Sequence, residues 1–437
     1  MPKLSLLTNF FKLRENHTSI RTEITAGFTT FLTMAYIIFV NPAILAQAGM
    51  PYGDVFTATC LTAIAGCFLI GLLANYPIAI APGLGLNAYF TYMIVLTFGY
   101  SWQTALGAVL IAGVFFFLLT IFKIRQWIIN AIPQCIITAT AAGIGLFIGM
   151  IALKNAGIIT GNSSTLLTLG NLTSASALLA LLGFFLIAAL DHFRIAGSII
   201  MVIIFISLIA LLLGKTTYYG LVSLPPAIHK TFLAANVTQL FTSHGLMIIF
   251  TFVIVALFDS SGTLIGVLHD TNLIKHETGK KRLSRALTAD SLATIIGSLL
   301  GTSTTATFIE SAAGIKAGGR TGLTAITVSI FFIFALFLSP LAKLIPTFAS
   351  TPALLFIACM MLKNMKDIHW DDLSEAIPSA ITMMMIPYGF SIASGIGLGF
   401  ISYTVIKIFC GKARELKPAL ILLTLIFAVY FLRQAFI

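Results

Sequence analysis

Tyr76 to Tyr89, YPIAIAPGLGLNAY, and Gly301 to Lys316, GTSTTATFIESAAGIK, interrupt otherwise apolar sequence at matching places in the two halves of the chain. Neither reads as one clean membrane helix. In the first, alternating small and β-branched residues meet a Pro82-Gly83 break before helix formers resume. In the second, a Thr-rich β-like run turns helical at Ile309-Glu310. Each predicts a short strand leading into a half-helix. Irregular backbone survives at membrane depth only where protein or a wet cavity satisfies it, and paired interruptions in two halves point to the binding site of a secondary transporter.

The rest of the composition agrees. With 58% hydrophobic and 9% charged residues and a mean hydropathy of +1.03, the chain has too little polar surface to clothe a soluble body. A net charge of +11 would suggest nucleic acid in a soluble protein, but here Lys and Arg cluster in short loops between apolar runs, the pattern of membrane topology. Nucleic acid is therefore not an expected partner. Cys60, Cys67, Cys135, Cys359 and Cys410 lack CxxC spacing and are expected to be packing residues, so neither a metal site nor a cofactor is expected. The opening MPKLSLLTNFFKLRENHTSIRTE has no signal-peptide core with a cleavage site and is expected to stay uncleaved and cytoplasmic.

With about 20 apolar residues per crossing as the ruler, spans fall near 24–47, 55–75, the broken 76–97, 101–122, 132–152, 174–190 and 194–213. A second set follows near 245–268, 286–300, the broken 302–317, 321–339, 350–363, 373–390 and 392–410. An odd-numbered repeat must enter the membrane from opposite sides. Register agrees with the count: Ile24 and Gly245 are 221 positions apart, and Asn87 and Glu310 are 223 apart. Lys3, Lys12, Arg14, Arg21, Lys123, Arg125, Arg194 and the Lys275 to Arg285 cluster all fall on loops this count makes cytoplasmic. Lys407, Lys412, Arg414 and Lys417 mark one more internal loop. The apolar run Pro418 to Leu432 that follows reads equally as an extra crossing or as a helix lying along the membrane.

Most acidic residues, Glu23 among them, fall at segment ends and are expected to reach water or headgroups. Asp259 lies mid-segment, Glu310 opens the second half-helix, and Asp290 is expected one turn into its span, capping neighbouring backbone. A carboxylate at the bilayer centre costs about 2.5 kcal/mol or more, which marks Asp259 and Glu310 as functional. Carboxylates beside half-helix N-termini can accept from ring N–H and amino groups while exposed backbone N–H groups donate, which suits a neutral planar heterocycle. No Arg or Lys lies at mid-depth to pair with an anion. Two neighbouring buried carboxyls cannot cheaply both be charged, so Asp259 and Glu310 are the proton-coupling candidates. Sodium is the alternative coupling ion, with Thr304, Thr305, Ser260 and Ser261 as hard oxygen donors. Asn87, Phe308, Phe90, Thr305, Thr30 and Thr33 complete the candidate substrate-binding residues, Asn87 for a base edge and the phenyl rings for stacking. No His lies at mid-depth to serve catalysis, so an enzyme is not expected.

Six ordered strings, RTEITAGFTTFLTMAYIIFVNP, APGLGLNA, GIGLFIGMIALKNAGII, ALFDSSGTLIGV, GTSTTATFIESAAGIKAGGRTGLTA and SIASGIGLGFISY, closely resemble the AzgA-like branch of the nucleobase-cation symporters, the guanine/hypoxanthine and adenine permeases. The resemblance spans nearly the whole chain. It implies an all-α polytopic membrane protein with the uracil-permease type of fold, a seven-plus-seven inverted repeat of 14 spans. Residues 1–23 would be a cytoplasmic N-terminus, 24–122 and 245–344 the core domain, and 123–244 and 345–437 the gate domain. It also implies proton-driven purine uptake at the cytoplasmic (inner) membrane, with Asp259 and Glu310 holding the base and Asn87 in the third span. Thr305 and Phe308 lie where some relatives carry serine, valine or tyrosine. The DSSGT string is closer to the guanine/hypoxanthine members, with adenine preference, sodium coupling and an anion transporter of the same fold as successive alternatives. A homodimer through the gate domains is left open. Gly143, Gly145 and Gly149, with Gly395, Gly397 and Gly399, are expected to give a smooth face for one domain to slide on.

Overall fold

The computed structural model describes residues 7–122, 124–269 and 277–435. In chain order the elements are α1 (Ile20–Met34), α2 (Ile37–Ala46), α3 (Tyr52–Leu73), β1 (Ile80–Pro82), α4 (Leu84–Ala88) continuing into a π-helical segment (Tyr89–Thr97), α5 (Trp102–Ile121), α6 (Ile124–Ala131) and α7 (Gln134–Asn155). Then follow the hairpin β2 (Ile159–Asn162) and β3 (Leu166–Leu169), α8 (Ala175–His192), α9 (Ser198–Leu212), α10 (Ser243–His269) and α11 (Glu277–Leu300). The chain ends with β4 (Thr305–Thr307), α12 (Ser311–Lys316), α13 (Gly322–Ala335), α14 (Ser339–Leu344), α15 (Thr347–Leu362), α16 (Leu373–Tyr388), α17 (Ile392–Phe409) and α18 (Pro418–Ala435).

Among the described residues, nine helical segments are long and apolar enough to cross a membrane, accompanied by three shorter apolar helices. That is fewer than fourteen, for a physical reason. A strand plus a half-helix offers too few helical residues to register as a span, α9 and α16 are short at 15 and 16 residues, and α11 carries charges near its start. The chain divides into two compact units, residues 1–117 with 155–353 and residues 118–154 with 354–437.

In the first unit, small residues let the backbones of α1, α3 and α13 approach closely. A Cβ on Gly27 of α1 would sit 2.7 Å from the Thr324 carbonyl oxygen of α13, and one on Gly71 of α3 would sit 2.8 Å from the Gly322 carbonyl oxygen. Glu23 is the first departure from expectation. It is fully buried rather than at water. Its carboxylate accepts from Arg320 N (2.9 Å), Thr321 N (3.2 Å) and Thr324 Oγ1 (2.5 Å), satisfying orphan donors at the start of α13. The expectation failed because a carboxylate near a segment end can cap a neighbouring helix as well as reach solvent.

Residues 214–242 are largely irregular yet tied down. Thr57 Oγ1 donates to Pro226 O (2.8 Å), Asp54 accepts from Lys230 N (2.8 Å), Leu233 N reaches Leu299 O (2.8 Å) and Asn236 N reaches Gln103 O (2.9 Å). This strap fastens the ends of α3, α5 and α11.

In the second unit, α16 and α17 form an antiparallel hairpin, and α18 runs back along α17 with Thr404 and Thr424 hydroxyls 2.9 Å apart and the Phe400 and Phe427 rings 5.9 Å apart. Here a second expectation fails. The glycines of α7 and α17 form no smooth free face: Gly143 lies against Met383 and Ile386, Gly145 against Ala358 and Met361, Gly395 against Ile386 and Gly397 against Phe427. They serve close helix packing within the unit, and a missing side chain invites a neighbour.

Candidate substrate site

The two interruptions meet. β1 and β4 pair antiparallel, with Ile80 opposite Thr307, Ala81 opposite Ala306 and Pro82 opposite Thr305. Flanking bonds extend the ribbon, Gly83 N to Thr304 O (2.9 Å) and Phe308 N to Ala79 O (3.0 Å). Ribbon and loop backbone are further satisfied by side chains: Ile80 O accepts from Cys67 Sγ (3.3 Å) and Ala79 N donates to Ser311 Oγ (3.0 Å). Thus the backbone polar groups of two broken spans satisfy one another. Each strand delivers its chain directly into a half-helix, β1 through Gly83 into α4 and β4 through Glu310 into α12.

Around this ribbon the candidate residues divide. Asp259, on α10, brings Oδ2 to 3.4 Å from where a Cβ on Gly83 would stand, and that Cβ would also lie 3.1 Å from Ala306 Cβ. A Cβ here would meet the carboxylate at ordinary contact distance, and the tighter neighbour is Ala306. Asp259 also feels the charges of Asp290 and Glu310. Asp290 lies well inside α11, which begins at Glu277, and is fully buried, so it is not the end-of-span cap expected. The helix reaches further toward its basic start than hydropathy suggested, because Lys and Arg stems are compatible with a continuing helix.

Glu310 is partly accessible and anchored from α1 and α2. Tyr36, 1% exposed, donates its phenolic O–H to Glu310 Oε1 at 2.6 Å. It does so from a break between the two helices, where Ile38 N and Phe39 N bond three residues back, tightening the turn. Thr33 Oγ1 donates mainly to Thr30 O (2.8 Å) and lies 3.5 Å from Glu310 O. Thr30 is fully buried against Gly314 of α12, and its hydroxyl has no hydrogen-bond partner among the described residues.

Asn87 is elsewhere engaged. Its amide nitrogen donates to Asn41 Oδ1, and Asn41 Nδ2 in turn donates to Thr59 Oγ1 (2.6 Å) and Thr302 Oγ1 (2.9 Å). All four side chains are buried. Thr305 turns toward α11, with Oγ1 on Asp290 O (3.1 Å) and 2.8 Å from Thr294 Oγ1. Thr307 Oγ1 donates to Ser260 O (3.0 Å), tying β4 to α10 beside Asp259. Phe308 and Phe90 are buried. Ser261's side chain lies outside the described residues. Tyr36, Asn41 and Thr302 escaped the sequence argument. Asn41, a polar residue alone in the run IIFVNPAIL, carried a visible signal; Tyr36 carried none, since its role depends on a turn inside an apolar run.

A sequence profile described as Permease family (Xan_ur_permease) matches residues 21–429. The chain belongs to the xanthine/uracil permease family. This permease is a multi-pass membrane protein and not an enzyme. It is 45% identical over 422 residues to the adenine permease AdeP of Escherichia coli K12, covering 97% of this chain and 95% of that one. It is 42% identical over 436 residues to the guanine/hypoxanthine permease PbuO of Bacillus subtilis 168, covering 98% and 100%. Among solved structures, the transmembrane domain of the cyanobacterial bicarbonate transporter BicA matches with a TM-score of 0.64 at 16% identity over 86% of this chain and 96% of that one, a likeness of fold alone.

Proposed function

We propose that this permease takes up purine nucleobases in symport with protons across the cytoplasmic membrane, with its N-terminus on the cytoplasmic side. The observation that carries the proposal is the convergence of Asp259 and Glu310 on one strand-and-half-helix ribbon, Asp259 beside Gly83 and Glu310 gripped by Tyr36. With one Glu310 oxygen engaged, the carboxylate can still accept from substrate N–H groups through the other, while Asp259 offers a second acceptor. Asn87, held by Asn41, would fix the first half-helix rather than meet the base through its amide nitrogen. Carboxylates gathered away from bulk water repel one another, and a proton relieves that repulsion, which supplies the coupling.

Relatives that are adenine and guanine/hypoxanthine permeases support a purine. The 6-oxopurines are the first choice, on the Asp259-Ser260-Ser261-Gly262-Thr263 string. Sodium coupling is the second reading, because Ser260, Ser303 and Thr304 carry buried hydroxyls near the ribbon with no hydrogen-bond partner among the described residues. We further propose that the core spans carry the substrate past the gate spans as one rigid body, and that any dimer forms through the gate. Proteoliposomes given radiolabelled hypoxanthine, guanine or adenine test these points. Accumulation driven by an acid exterior and abolished by a protonophore is expected. Accumulation that follows a sodium gradient and ignores pH would overturn proton coupling, and binding of sulfate or bicarbonate in place of purines would overturn the substrate.

A further inference from the structure

Within the first unit, the strap between α9 and α10 holds thirteen consecutive uncharged residues, Thr216 to Ile228, TTYYGLVSLPPAI, between Lys215 and His229. Its large side chains do not turn inward. Tyr218, Tyr219, Leu221 and Val222 are each more than half exposed, and Leu224 is 84% exposed. Gly220, at φ +104°, turns the chain between the tyrosines and the apolar run in a conformation that suits glycine.

Four hydrogen bonds trace the level of this stretch against its neighbours. Thr216 Oγ1 donates to Leu344 O (2.9 Å), at the end of the apolar Gly322–Leu344 span. Ser223 N donates to Phe337 O (3.0 Å), about two turns earlier in that span, roughly 10 Å of helix. Pro226 O accepts from Thr57 Oγ1 (2.8 Å), more than a turn into α3, whereas Lys230 N donates to Asp54 Oδ2 (2.8 Å) in the first turn of α3. The strap therefore dips below the helix ends near Leu221 to Pro226 and climbs out by Lys230.

Beside the dip the helix surface is apolar. Ile330, Ile333, Phe334 and Phe337 are exposed and recur at helical spacing along the span. In a multi-pass membrane protein such a stripe faces acyl chains, and the bond from Ser223 to Phe337 places Val222 and Leu224 at its edge. Irregular backbone cannot lie deep in hydrocarbon, but a shallow loop whose amide bonds to a neighbouring helix can carry its side chains into the leaflet. Tyrosine, with an apolar ring and a polar hydroxyl, belongs at headgroup level.

We propose that residues 218–224 form a shallow re-entrant wedge in the leaflet around this end of the span, with Leu221, Val222 and Leu224 among the acyl chains and Tyr218 and Tyr219 at the headgroups. Lipid, rather than a second copy of the chain, is the occupant, because the exposed apolar surface of the wedge continues the lipid-facing stripe and offers a protein partner no charge to pair with.

The test uses the full-length permease carrying Cys359→Ser and Cys410→Ser, the buried thiols being unreactive. A nitrobenzoxadiazole label is attached at Leu224→Cys, at Val222→Cys and, as reference, at Ser164→Cys in the exposed turn between β2 and β3. Each protein is reconstituted into nanodiscs of phosphatidylcholine with or without bromine on the acyl chains. Labels at 222 and 224 should emit to the blue of the label at 164, lose intensity to brominated chains and resist aqueous iodide. Leu224→Asp, read by the label at 222, should raise iodide quenching toward the value at 164, because a carboxylate is costly among acyl chains. Iodide quenching at 222 and 224 equal to that at 164 would overturn the proposal by leaving the stretch in water. Protection from iodide with no effect of bromine would overturn it by assigning the surface to a protein contact.

Discussion

After β1 the chain enters its half-helix with Asn87, whose amide is buried and locked onto Asn41; after β4 it enters with Glu310, whose carboxylate is held by Tyr36 and stays partly accessible. Both arms run from strand to half-helix, but Asn87 lies inside α4 whereas Glu310 is the residue that caps α12. Their side chains differ in what they face. The first arm looks into a closed network of Asn41, Thr59 and Thr302, and the second presents an ionisable group supported from one side only. Under the proposed function, likeness of fold does not carry likeness of role: one arm would fix the ribbon, and the other, with Asp259, would be where a substrate meets charge.

The sharpest way to break this comparison is at the carboxylates. Glu310→Gln and Asp259→Asn should each leave folding intact, since an amide still accepts a hydrogen bond, yet cut purine uptake tenfold or more, about 1.4 kcal/mol or above. Normal uptake by either variant in proteoliposomes would remove that residue from the site.

Next in size is the opposite behaviour expected of the first arm. Asn41→Ala leaves the Asn87 amide buried without its acceptor, at about 1–3 kcal/mol. A lowered apparent Tm should accompany the loss of uptake, and an unchanged Tm would mean the network is not structural. Tyr36→Phe, by contrast, should weaken purine binding several-fold by equilibrium titration while shifting Tm little, because a neighbouring carboxylate that loses one donor can still be hydrated in a partly open site.

Gly83→Ala tests how closely the two arms share the ribbon. Its Cβ would stand 3.1 Å from Ala306 and 3.4 Å from the Asp259 carboxylate, so a modest fall in affinity larger than the fall in Tm is expected. Equal falls would place the effect in the ribbon's packing alone.

The smallest effect separates acid sensitivity of the site from that of the fold. Asp372, in a loop, is held below the usual carboxylate range by the Ser374 hydroxyl (2.7 Å), then by Lys412 (3.0 Å) and Ser374 N. A depressed carboxyl contributes stability above its unfolded value near 4 and loses it as pH falls through the folded one. Because the group is exposed, Asp372→Asn should change Tm slightly at pH 7, with the difference vanishing only in strong acid. The pH profile of uptake should be the same in both proteins; a shifted profile would mean acid acts through this loop.

Much of this was legible in the residues. The period and length of apolar runs placed the helices, because burial in lipid demands long apolar stretches, and the Pro82-Gly83 and Thr302 to Thr307 interruptions announced strand-then-half-helix units. Asp259 and Glu310 stood out because a carboxylate within an apolar run is too costly to keep without a role. The partners of these groups were not legible. Asn41 and Asn87 are 46 positions apart, Tyr36 and Glu310 274, and Glu23 and Thr321 298. Hydrogen bonds over such separations depend on which helix faces meet, and local pattern does not encode that. The glycines misled for the same reason, since Gly143 and Gly395 look open along the chain and are filled by Ile386 in space. Sequence alone determined the membrane setting, the two broken spans and the acidic candidates, all consequences of the bilayer acting on each residue independently. Tertiary structure alone decided which polar group each buried side chain answers to, and so which of the two half-helices is tied into a closed network and which holds the accessible carboxylate.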